Sequence, residues 1–262
     1  MITKSQPDER VIAYLKTDEI INLNMLGILE NEQDCIVYTH EDDKGIIDGC
    51  VIIQDWRHFV YTRSDAVLSA FMETLFKKGS FGFAGVHRPL TEKILSRGRE
   101  IWRNPCDLYY MPPAAIKSFA SEIERQEECG ACHPIMTAIG PLDPVHAALV
   151  DSFYSFRDDE SLEEIRKNIT QRPSSAVFID GEPAAWVMIH EDGSMGILFC
   201  REEYRGRGYG RDITLDLARK VIAQGKTPFV QILESNGMSP GLALKCGFVK
   251  YDKCDWFRVE IG

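Results

Sequence analysis

A mixed α/β fold in two domains of similar plan is what this sequence predicts, and three observations carry the prediction. The chain has 262 residues, between one and two domains' worth, with 44% hydrophobic content, enough for a sizeable core. Segments with the 3.6-residue period of a helix alternate with short apolar runs of strand length. Each half runs in the same order of helix, helix, strands, helix, strand, helix, strand.

In the first half, residues 4–15 and 18–29 read as helices, the second with Ile20, Ile21, Leu23, Leu26 and Leu29 on one broad apolar face. Strand-like segments follow at 35–39, 49–56 and 58–62. Ser64-Asp65 is a capping pair that opens a helix over 65–78, stopped by Gly79. A strand over 80–86, a short helix over 90–95 and a strand over 108–111, closed by Pro112-Pro113, complete this half.

The second half opens with a strand at 136–139 and a helix begun by Asp143-Pro144, a cap with proline at the first helical position. A second helix covers 162–169, and strands cover 176–179, 184–190 and 195–200. Gly181 turns the first pair, and Asp192-Gly193 is a strong hairpin signal for the second. A helix spans 208–224, ended by Gly225 in the place of a left-handed cap. After it come a strand at 229–233, a short helix at 240–246 and a final strand or hairpin at 248–259. The natural junction is the acidic segment 118–134, which divides the chain into domains 1–130 and 131–262.

Thirty Lys and Arg against forty Asp and Glu leave a net charge of −10, which repels nucleic acid and anionic membranes at long range. No apolar run reaches a bilayer-spanning length, and the charged amino terminus is unlike a signal peptide, so a soluble, cytoplasmic protein is expected. The eight cysteines are then thiols. Cys129-Gly130-Ala131-Cys132-His133 spells a heme-attachment or partial zinc pattern. Attachment of heme needs export and a second zinc pair is absent, so the segment reads as a linker carrying two thiols, with redox pairing or metal as alternatives. No metal site is expected.

Chemistry concentrates in 195–211, where an apolar strand and an acidic turn lead into Arg205-Gly206-Arg207-Gly208-Tyr209-Gly210 at the start of a helix. Glycines let backbone N–H groups approach a ligand, and a helix start adds partial positive charge, so the loop suits a phosphate. Arg201, Arg205, Arg207 and Arg211 make a local basic exception in an acidic chain. The spacing is neither a dinucleotide GxGxxG, because Arg211 stands where the third glycine belongs, nor a Walker loop.

Arg205, Gly208 and Gly210 at a strand-to-helix turn, followed by the strand at 229–233, Ser235-Asn236 and the run Leu242-Ala243-Leu244-Lys245-Cys246-Gly247-Phe248, resemble the GNAT acyltransferase superfamily over about residues 134–262. Gly181, Pro183, Trp186, Gly193, Met195 and Glu203-Tyr204-Arg205 look closest to its glycine N-acyltransferase branch. The resemblance implies two tandem GNAT-like domains, each a mostly antiparallel twisted sheet flanked by helices, the first degenerate because it lacks the loop. It implies an acyl-CoA-dependent N-acyltransferase, with acetyl-CoA or coenzyme A as cosubstrate and a small-molecule amine or amino acid as acceptor. The alternative is a noncatalytic acyl-CoA-binding module. A homodimer is among the states the sequence allows.

The resemblance further implies that strand 197–200 splays from strand 229–233. It puts the cofactor against Leu198, Phe199, Cys200, Arg205, Gly206, Arg207, Gly208, Tyr209, Gly210, Arg211 and Asn236. Backbone N–H groups of Leu198 or Cys200 would meet the oxyanion, and Cys200 finds no partner that would make it a nucleophile. The branch's glutamate base corresponds to Ser194 here, and the tyrosine acid of many relatives to Ala243, so both usual acid/base groups are missing. His190 and Glu191, close in sequence to Ser194, and Ser235 with Glu234 after the next strand are the substitutes. Tyr251 and Tyr209 are candidate acids.

Overall fold

The computed structural model describes residues 1–118 and 139–262, so the expected domain boundary, Cys129, Cys132 and the start of the strand at 136–139 lie outside the described residues. The described residues form two units, one of Met1–Leu108, Gln231–Asn236 and Lys250–Gly262, the other of Tyr109–Val230 and Gly237–Val249.

The first unit is built on β1 (Ile2–Ser5), α1 (Glu9–Lys16), α2 (Leu23–Asn31), β2 (Ile36–Glu41), β3 (Ile47–Gln54), β4 (Arg57–Thr62), α3 (Asp65–Leu75), β5 (Gly79–His87), α4 (Arg88–Leu95) and β6 (Arg99–Tyr110). The helix expected at 4–15 is instead a short strand followed by a helix. Pro7 removes a donor where a helix would need one, and Asp8 caps α1 by accepting from the Val11 N–H at 2.9 Å. The helix expected at 18–29 begins later, because 18–22 form turns in which Asn22 Nδ2 donates to the Leu15 and Asp18 carbonyls. β6 is three times longer than the four residues expected. Its first half is charged and half-exposed, so apolar alternation marks only its end.

Helices cover both faces of this sheet, which explains the near-continuous apolar run of β3. Cys50 and Ile52 point into a cluster with Val11, Leu15, Met25 and Ile28, while Val51 packs with Val67, Leu68, Phe71 and Phe83.

The second unit contains helical residues 113–118, β7 (Ile139–Gly140), α5 (Ala147–Ser152), α6 (Ser161–Gln171), β8 (Ser174–Ile179), β9 (Glu182–Ile189), β10 (Met195–Cys200), α7 (Tyr209–Ala223) and α8 (Ser239–Lys245). Asp143-Pro144 opens a 3-10 turn rather than the α-helix itself. The sheet order is β10-β9-β8-β7, all antiparallel, with β10 at the edge. Leu142, Ala147, Val150, Ile165 and Ile169 pack on Ala176, Trp186 and Met188, and α7 buries Ile213, Leu217, Ala218 and Val221.

β11 (Phe229–Leu233) and β12 (Val249–Ile261) join the other sheet, whose order is β1-β2-β3-β4-β5-β12-β6-β11. β12 is one strand, not a hairpin, and lies between β5 and β6. Each half of the chain therefore follows one order, strand, two helices, three strands, helix, strand, helix, strand. In the first unit β4 and β5 are parallel and paired only at Arg57–Gly82 and His58–Phe83, so their later residues separate.

Candidate functional site

The glycine loop joins β10 to α7. β10 pairs with β9 through a register shift between Gly196 and Phe199, and Ile197 inside this bulge has φ 48°. A β-branched residue in the left-handed region is strained, and such strain is concentrated at functional sites. The Arg201 N–H returns to the Ala184 carbonyl at 3.0 Å, so by alternation the N–H groups of Cys200 and Leu198 face the open edge. β11 belongs to the other sheet and no ladder joins it to β10.

Beyond Cys200, a 3-10 turn at Glu202–Tyr204 leads to Gly206 (φ 77°) and Gly208 (φ 87°), the N-cap of α7. Both φ values favour glycine, and a side chain at Gly206 would meet nothing within 4 Å. No side chain caps α7. Its first-turn N–H groups, over Tyr209 and Gly210, therefore point to a half-exposed surface with the positive end of the helix dipole behind them. The equivalent turn in the first unit is different in kind. There β4 runs through two residues into α3 and the Ser64 hydroxyl accepts from the Val67 N–H at 3.4 Å, while each helix carries one aspartate in its first turn, Asp65 in α3 and Asp212 in α7. That helix start has a side-chain cap.

The arginines are partly neutralised, which narrows the expected basic exception. Arg201 pairs with Glu203 at 2.8 Å and Arg205 with Glu202 at 3.2 Å, whereas Arg207 and Arg211 have no carboxylate partner among the described residues. Arg205 also donates from Nε to the Cys200 carbonyl at 3.0 Å and lies over the Phe199 ring at 5.7 Å, fixing the loop to the strand. Phe199 stacks on the half-exposed Phe153 at 4.6 Å and leans on Trp186, an apolar wall beside β10. Burial pushes the Cys200 thiol up, which opposes a nucleophilic role.

The hairpin before β10 holds His190 and Glu191. The His190 N–H donates to the Ser194 carbonyl at 2.9 Å, and its ring lies across Gly196, where any Cβ would overlap it. Glu191 accepts from Asn168 Nδ2 at 3.3 Å, turning it toward α6. Sequence reasoning passed over Asp192 as a turn residue. It is 2% exposed and accepts both the N–H and the hydroxyl of Ser194, at 2.9 and 2.5 Å. Ala243 is buried in α8 and offers no proton.

Glu234, Ser235 and Asn236 fall in the other unit, after β11, as does Tyr251 on β12. Hydrogen bonds from Lys253 (2.8 Å) and Arg88 (2.7 Å) pull the Glu234 carboxyl down to about 2, leaving a poor proton acceptor near neutrality. Among the described residues no group of three His, Cys, Asp or Glu is arranged to hold a metal ion, and no helix is long and apolar enough to cross a membrane.

An FR47-like protein family model matches residues 180–257, the segment that contains the hairpin, the bulge and the glycine loop. A "Glycine N-acyltransferase-like protein" from Mus musculus is 30% identical over 118 residues, 42% of this chain and 40% of that protein. A "Glycine N-phenylacetyltransferase" from Bos taurus is 32% identical over 111 residues, 39% of this chain and 38% of the relative. Together these matches support a GNAT superfamily member. The chain matches about two-fifths of the length of those two relatives. Across the whole chain the fold is shared with two solved structures. One, the X-ray structure of a Drosophila protein, has a TM-score of 0.71 at 14% identity and covers 98% of both chains. The other, a tandem GNAT protein from the clavulanic acid biosynthesis pathway, has a TM-score of 0.55 at 11% identity and covers 100% of this chain and 98% of its own.

Proposed function

We propose that this GNAT protein is an N-acyltransferase that moves an acyl group, acetyl foremost, from coenzyme A directly to a primary amine of a small molecule or amino acid. The carrying observation is the uncapped, glycine-lined start of α7 continuing from a bulged edge strand. Such a start binds a pyrophosphate through the N–H groups of Gly206 to Gly210, with Arg207 and Arg211 as cations that have no carboxylate partner among the described residues and Arg205 holding the turn in shape. The open edge of β10 pairs with the amide groups of the pantetheine arm as an added strand would. Outward N–H groups at Leu198 and Cys200 then polarise the thioester carbonyl. Proton removal falls to the hairpin 190–194, because α8 supplies no acid or base at Ala243.

Thiol release from acetyl-CoA, followed with a panel of amines, tests this. Acceptor-dependent release is expected, and tight binding of coenzyme A with no release under any acceptor would refute it. That second result defines the competing reading, a noncatalytic acyl-CoA-binding module, which Ser194 and Ala243 favour by their chemistry. Arg205→Ala and Gly208→Trp are each expected to weaken coenzyme A binding, by about tenfold or more, in calorimetric titration. Unchanged affinity in both would remove the loop from the site.

A further inference from the structure

Asp192 carries a feature that a hairpin turn does not require. It is 2% exposed, and while Oδ1 accepts from the Ser194 N–H and hydroxyl, Oδ2 is buried with no hydrogen-bond partner among the described residues. An unsatisfied buried carboxylate oxygen is costly, so its retention calls for a use. Ser194 is 6% exposed, one residue before β10, and by strand alternation its side chain shares a face with Gly196, next to the bulge at Ile197. The hydroxyl gives its proton to Asp192, so its lone pairs are left to accept one from elsewhere.

We propose that Ser194 and Asp192 form the proton relay of the acyl transfer, with Ser194 the catalytic residue that touches the amine and Asp192 the positioning residue that takes the proton through it. This rests on the acyltransferase reading and names the proton path for the same site. The amine nitrogen forms a bond to the thioester carbonyl carbon, the C–S bond breaks, and sulfur leaves with the electron pair. The proton on nitrogen passes to Ser194 Oγ as the hydroxyl proton passes to Asp192 Oδ1. Asp192 returns it to water, and the thiolate of coenzyme A takes one from water, which gives amide and free thiol. Among the described residues, the titratable and charged groups beside Asp192 include His190 and Glu191 in the same turn and Arg172 at the end of α6, which donates to Asn168 Oδ1 at 2.5 Å and through Asn168 meets Glu191.

The test is steady-state kinetics of the whole chain with acetyl-CoA and its best amine, across pH, beside coenzyme A affinity and thermal melting. Ser194→Ala and Asp192→Asn should each lower kcat about a hundredfold with KM for acetyl-CoA unchanged, and Asp192→Asn should remove the acidic limb of kcat. Ser194→Thr keeps the hydroxyl and should keep the rate. Ser194→Glu places a carboxylate beside the amine directly, so it should restore turnover to Asp192→Asn. Wild-type kcat and pH profile in folded Ser194→Ala and Asp192→Asn overturn the relay alone. So does loss of the acidic limb in His190→Ala with its retention in Asp192→Asn, which makes the imidazole the base. Coenzyme A binding without thiol release in the unmodified chain overturns the acyltransferase reading, and the relay with it.

Discussion

Gly196 shows how much of this site turns on a missing side chain. Its Cα carries the His190 ring, and any Cβ there would overlap the imidazole, so Gly196→Ala must displace either the ring or the bulged strand. The expected result is a fall in kcat with coenzyme A affinity retained, because the phosphate turn lies beyond Cys200, and a substitution that leaves kcat intact would show that His190 has no part in the acceptor site. In the first unit, Glu234 is a structural carboxylate. Held near 2 by Lys253 and Arg88, it contributes stability that is fully present above its ordinary value of 4.5 and is lost as pH falls from there toward 2. Glu234→Gln should therefore flatten the acid-unfolding profile in that window, followed by circular dichroism. A profile identical to that of the parent chain would mean the two ion pairs do not hold in solution.

At the scale of elements, the two glycine- and serine-started helices separate an open helix start from a closed one. α3 is capped by Ser64, so Ser64→Ala should cost about 1 kcal/mol in a denaturant melt. No change would show that the 3.4 Å cap bond is not formed in solution. The sequence made this contrast readable, since Ser-Asp before a helix and Gly-Arg-Gly before another differ in a way that local chemistry dictates. It also placed β2 to β5, β8 to β11 and α7 to within a few residues, because apolar period and turn residues are local signals. What it missed depends on partners far along the chain. β1 is a four-residue edge strand of Ile, Thr, Lys and Ser that exists because β2 offers it a ladder, and the charged half of β6 is held by neighbours no local pattern names. The bulge at Ile197 and the buried carboxylate of Asp192 were equally illegible, since a strained φ and an unsatisfied oxygen have no sequence signature.

For the whole molecule, the chain's order along the sequence and its order in the sheet diverge at β12. β12 belongs to the first unit, between β5 and β6, so that sheet is joined across its middle by residues far along the chain from β5. Asp255 on this strand is fully buried and is gripped by Arg88 at 2.9 Å and Arg103 at 3.1 Å, two guanidinium groups that keep a fifth of their surface exposed. Replacing it with alanine removes the charge both arginines were desolvated to meet, at a cost of roughly 2–3 kcal/mol, below the range for a fully buried pair because the arginines keep some water. Deleting residues 250–262 goes further. It leaves the facing edges of β5 and β6 without the ladder between them and uncovers Phe83, whose ring stacks on Phe257 at 4.9 Å. Hydrogen exchange at the amides of β5 should then rise to the level of an unfolded segment in the truncated chain, while Asp255→Ala should raise it only in proportion to its lost stability. Full protection of β5 after truncation would mean that the sheet closes without β12, and that β5 does not depend on the ladder β12 offers it.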